Sequence, residues 1–120
     1  MSAYKLWTKV PNGSRLEVSL DSEDEEFVGG ARLVDDQGVE EPWTHEQLHP
    51  GPMPRKLSVP RVYTVRVRVA FTGKETATVE IKARIVKQDG ANHGDPYSYT
   101  VSGKNEDIER ATIVIATLKS

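Results

Sequence analysis

His45, Glu46 and His49 are the residues of this chain whose types and spacing could do chemistry, because they satisfy the pattern H-E-x-x-H. On a helix that spacing turns both imidazoles to one face as zinc ligands and leaves the glutamate to take a proton from metal-bound water. Thr44 and Gln47 supply a capping box that can start such a helix. Proline limits it. Pro42 precedes and Pro50 follows, and a proline disfavours helical geometry in the residue before it, so about one and a half turns are available. An extended form of the pattern wants a glycine three residues after the second histidine, where Pro52 stands. His93, the third histidine, lies in a turn, so a three-histidine site needs two distant loops to meet. We therefore expect a solvent-facing helical turn and no metal, cofactor or catalysis, with a zinc-dependent hydrolase on His45, His49 and His93 as the second alternative.

Binding chemistry is the stronger expectation. Arg66, Arg68, Lys82 and Arg84 alternate with apolar residues, so on adjacent strands they would form one basic, wet sheet face, with Glu80 opposite Arg66 or Arg68. Such a face attracts anions. Aromatic platforms are not interleaved there, since Tyr63 and Phe71 share the apolar parity, which argues against nucleic acid. Trp7, between Lys5 and Lys9, and Trp43, in a Pro-rich stretch, are the candidates for a carbohydrate-binding surface, with Asn92 and Asp95 to hold hydroxyls. Residues 21–26 carry five carboxylates without the spacing of a calcium loop, and like charges so packed should stay solvated and mobile.

The elements that must position these residues are strands. In residues 62–86 side-chain character changes at every second position: Tyr63, Val65, Val67, Val69 and Phe71 in one row, then Ala77, Val79, Ile81, Ala83 and Ile85 in another. Tyr4, Leu6 and Val10 share parity with Leu16, Val18 and Leu20, so a three-residue loop, Pro11-Asn12-Gly13, would fold them as a hairpin pairing Val10 with Ser14. Phe27 and its successors can form a strand, with a bulge or a close backbone approach at Gly29-Gly30. Five prolines from Pro42 to Pro60 exclude a central strand and imply a loop of about 20 residues. Residues 111–118 are apolar on both parities, as in a strand covered on both sides. The expected fold is all-β: an antiparallel β-sandwich of about seven or eight strands with Greek-key connections, similar in architecture alone to immunoglobulin-like sandwiches.

One hundred and twenty residues suit a single domain, 1–120. There is no cysteine, which excludes disulfides and thiolate chemistry and fits a reducing compartment. The start lacks a signal-peptide pattern and no apolar run could span a bilayer, so we expect a complete, soluble, cytoplasmic protein without membrane partners; leaderless secretion would give the same sequence. Charge is segregated: residues 17–46 hold eleven acids against Arg32, a net −10, and residues 55–87 hold nine bases against two acids, a net +7. The expected function is a non-catalytic interaction or assembly module that binds a protein partner or itself, with glycan binding as the first alternative.

Overall fold

A computed structural model describes residues 3–117. Along the chain run β1 (Ala3–Val10), β2 (Arg15–Asp21), β3 (Phe27–Asp35), β4 (Glu40–Trp43), α1 (His45–Leu48), β5 (Arg55–Lys56), β6 (Val62–Phe71), β7 (Ala77–Val86), β8 (Tyr97–Gly103) and β9 (Ile108–Thr117). They build a sandwich of two sheets, ordered β1-β9-β6-β3-β4 and β5-β2-β7-β8. The long strands contribute their apolar rows to one shared core, where Val65, Val69, Val79, Ile81, Ile85, Ile113 and Ile115 are completely buried. Each such side chain contributes about 1.5–3 kcal/mol through the area it removes from water.

Alternation within β6 and β7 follows the expected parity, but their partners differ from expectation. The two strands are not neighbours: β6 lies between β3 and β9 in one sheet, and β7 between β2 and β8 in the other. Residues 72–76 therefore carry the chain from sheet to sheet. Glu80 pairs with Asp21 and Thr100, and faces neither Arg66 nor Arg68.

The expected β1–β2 hairpin is also absent. β1 runs parallel to β9, with Trp7 opposite Ile115, while β2 pairs with β7. The turn at Pro11 survives, since Ser14 donates its backbone N–H (3.3 Å) and its hydroxyl (2.8 Å) to Pro11 O, yet it joins two sheets. A register shift between Trp7 and Val10, with Lys9 at φ 55°, inverts the parity of β1 midway. Trp7 thus points inward with Val10, and Tyr4 and Leu6 point out.

The Pro-rich stretch is anchored. Leu48 and Leu57 are completely buried, Leu57 N–H donates to Ser14 O at 2.9 Å, and Arg55 Nη2 donates to Pro42 O at 2.8 Å. Pro42 lies within the short edge strand β4 and the other prolines lie outside the strands, around α1 and the edge strand β5, where a missing N–H costs no ladder bond. Residues 21–26 are likewise pinned: Ser22 Oγ donates to Thr78 O (2.6 Å), and Asp24 Oδ2 accepts from Thr78 N (3.0 Å). β9 is covered by the core on one side only, because Thr112, Val114 and Ala116 lie half-buried on the outer face; Leu118 is outside the described residues.

Candidate functional site

The three histidines serve the backbone. Thr44 and Gln47 do form the capping box, and α1 is a single turn. His45 Nδ1 accepts the Gly29 N–H at 2.9 Å, which makes its Nε2 the protonated nitrogen of a neutral ring. His49 Nδ1 must donate, since its partner at 2.8 Å is the Leu20 carbonyl. Both rings meet Phe27 edge-on, at 5.1 and 5.2 Å between centroids. The other nitrogen of His49, Nε2, lies 3.9 Å from Glu25 Oε1. His93 Nε2 donates to Thr8 O at 2.8 Å, at the opposite end of the sandwich. Among the described residues no three His, Asp or Glu converge as metal ligands.

Neither tryptophan presents a face to a sugar. Trp43 is buried, donates Nε1–H to Met53 O at 2.8 Å and carries the Arg55 guanidinium 4.9 Å above its ring. Trp7 is buried beneath the turn at Gly94, with the Lys5 ammonium 5.1 Å from its ring.

The four basic residues expected on one face are divided between the two outer faces, because β6 and β7 belong to different sheets. On the four-stranded sheet Lys82 and Arg84 are neutralised by carboxylates, while Arg15 faces Lys56 at the β2–β5 edge with no ion pair among the described residues. Arg84 Nε reaches Glu17 Oε1 at 2.7 Å, and Lys82 Nζ reaches Asp21 Oδ2 at 3.2 Å and Glu80 Oε1 at 3.5 Å. Ser98 Oγ donates to the Glu80 carboxylate. The hydrogen bond to Asp21, then the charges of Asp21 and Glu80, hold the Lys82 ammonium above its usual pKa. A hollow of about 360 Å³ between Pro52 and Pro96 lies over these satisfied pairs.

The five-stranded sheet is different. Arg66 sits directly opposite Arg32 on β3, and Arg68 directly opposite Arg110 on β9. All four are exposed. Like charges in direct cross-strand positions destabilise a sheet by roughly 0.2–1 kcal/mol each. Glu40 Oε1 approaches Arg32 at 3.9 Å, with side chains 68% and 53% exposed, a contact that water weakens almost to nothing. Arg66, Arg68 and Arg110 make no ion pair among the described residues. The arginines border an open groove of about 630 Å³, walled by Pro42 and Thr112 and floored at Gly30.

Two further features mark this face. Five of the seven large apolar residues that the described chain exposes lie on it: Tyr4, Leu6, Val28, Val62 and Ile108. The two adjacent glycines of β3 also differ. A Cβ at Gly29 would overlap a Leu20 methyl locked in the core, so packing dictates that glycine. A Cβ at Gly30 would meet nothing within 4 Å, although glycine inside a strand costs roughly 0.5–1 kcal/mol against alanine. Arg32 and Arg110 escaped the sequence reading. Their even parity was visible, but the strand order that gathers them beside Arg66 and Arg68 was not.

Comparison with protein-family models, with curated proteins and with solved structures finds no match. No helix among the described residues is long and apolar enough to cross a membrane.

Proposed function

We propose that this protein is a non-catalytic binding module, of the reducing cytoplasm, that holds an acidic partner protein on the outer face of its five-stranded sheet. The observation that carries the reading is the contrast between the two outer faces. One sheet pairs its central cations, Lys82 and Arg84, with carboxylates and leaves a like-charge pair, Arg15 and Lys56, at its edge; the other leaves Arg66, Arg68 and Arg110 at its centre without an ion pair among the described residues, at a cost in stability. Arginine can grip a carboxylate through two parallel N–H donors. Exposed Tyr4, Leu6, Val28, Val62 and Ile108 add the aromatic and apolar contact area that protein interfaces use alongside arginine. The same arginines disfavour a face-to-face pairing of two copies, which would set like charges against each other.

Fluorescence anisotropy with a labelled deca-glutamate peptide at low salt tests this. Arg66→Ser with Arg68→Ser should weaken binding by up to about thirtyfold, the sum of two exposed charge contacts of up to about 1 kcal/mol each. Lys82→Ser with Arg84→Ser should leave it unchanged. Equal loss in both double variants would mean diffuse electrostatics and no defined face.

A further inference from the structure

We infer that Gly30 is the seat of this binding face: an extended acidic segment of the partner lies across the sheet, and one carboxylate rests over bare Gly30 within reach of Arg32, Arg66 and Arg68. The inference builds on the function proposed above and adds the place and the chemistry of contact. Nothing in the fold calls for glycine at this position. Its φ is not in the left-handed region and a side chain there would have open space, whereas Gly29 next to it is required by Leu20. A strand glycine without a packing reason marks a place where another group approaches the backbone closely.

The surroundings say what that group is. Arg68 is directly opposite Gly30 on β6, Arg32 lies two residues along β3 on the same face, and Arg66 is directly opposite Arg32. Arg32, Arg66, Arg68 and Arg110 line the groove beside this bare backbone against a single carboxylate, Glu40, so the groove favours a planar anion that arginine can grip through paired N–H donors. The margin decides between macromolecules. Val28 and Ile108 flank the arginines on one side, Leu6 and Val62 on the other, with Tyr4 in the row of Arg66. A protein segment can match both the charges and this apolar margin, while a polynucleotide backbone leaves the margin unused. No exposed aromatic ring lies within the groove for a base to stack on.

Gly30→Val tests the seat without touching a charge. Its Cβ has free space and valine suits a strand, so the melting temperature should hold or rise. Binding of labelled deca-glutamate should fall about tenfold or more, with Gly30→Ala giving a smaller loss in the same direction. Undiminished binding in both variants, with binding lost in Arg66→Ser/Arg68→Ser, would overturn the seat and leave the proposed function standing. Undiminished binding in all of these variants would overturn both. An oligouridylate of equal length that binds more tightly than the peptide, and loses affinity in Gly30→Val, would overturn the choice of a protein partner. Should Gly30→Val fold poorly, Gly30→Ala still decides.

Discussion

An imidazole that accepts a hydrogen bond at Nδ1 carries its proton on Nε2, and this single fact governs the H-E-x-x-H segment. His45 can offer a metal its Nε2 lone pair only by moving that proton to Nδ1, where it would confront the Gly29 N–H. Zinc should therefore leave the melting temperature where it was; a ligand confined to the folded state would add about 2.7 kcal/mol at one hundred times its Kd. A zinc-induced rise abolished by His45→Ala would restore the hydrolase reading. Tyr97 offers a second test at this scale. Its hydroxyl is buried without a hydrogen-bond partner, and burial first, then neighbouring Tyr99, raises its pKa above the ordinary 10.0. For a group raised on folding, the associated stability is complete below the unfolded pKa and is lost as pH climbs through the folded one. Lys82, raised by Asp21, acts in the same direction. Tyr97→Phe should match the wild type at neutral pH or exceed it by about 1 kcal/mol, the penalty of an unpaired hydroxyl being removed. It should also lose less stability between pH 10 and 12, as melts across that range would record.

At the scale of the element, β6 supplies the sharpest contrast. Val67 is 1% exposed, between the sheets, while its neighbour Arg68 faces water and Arg110. Val67→Asp should cost several kcal/mol, a large share of the roughly 5–15 kcal/mol that holds a domain folded. Arg68→Asp should cost nothing and can stabilise by turning a like-charge pair into an opposite one. Thermal melts of the two variants separate them, and similar losses would show that the faces of β6 are misassigned. Parity of this kind was legible in the sequence because it is a local property: the rows of β6 and β7 follow from alternation alone. Partnership was not legible. Nothing local distinguishes a hairpin from a crossing between sheets, so β1 and β2 read as a hairpin and β6 and β7 as neighbours. Trp7 was misread for a related reason. The shift at Lys9 reverses the face of β1 midway, and no residue type there announces it. The candidate site suffered most, because its four arginines come from three strands far apart in sequence.

Across the whole molecule, charge is arranged by place more than by amount. The connections at one end of the sandwich, residues 22–26, 72–76 and 104–107, hold seven carboxylates against Lys74 and Lys104, a net −5, in a chain whose total is only −2. The arginine face lies along the flank of the same body. An acidic partner approaching that face thus meets attraction from the sheet and repulsion from the end, and the balance depends on salt, since exposed charges are screened beyond about 8 Å at physiological ionic strength. Glu23, Glu25 and Glu26 are exposed, and the 3.9 Å approach of Glu25 Oε1 to His49 Nε2 is a long, largely solvated contact worth little. Converting all three to glutamine should leave the melting temperature unchanged. At low salt it should speed association with an acidic peptide, because steering acts on the rate of encounter more than on the bound complex. The gain should vanish at about 1 M salt, where the screening length falls to roughly 3 Å. Stopped-flow anisotropy at the two salt concentrations reads both effects. An acceleration that persists at high salt would mean that the glutamates obstruct the face directly. No acceleration at low salt would mean that the acidic end lies beyond electrostatic reach of the bound segment, which would confine the partner to the arginine rows and the apolar residues beside them.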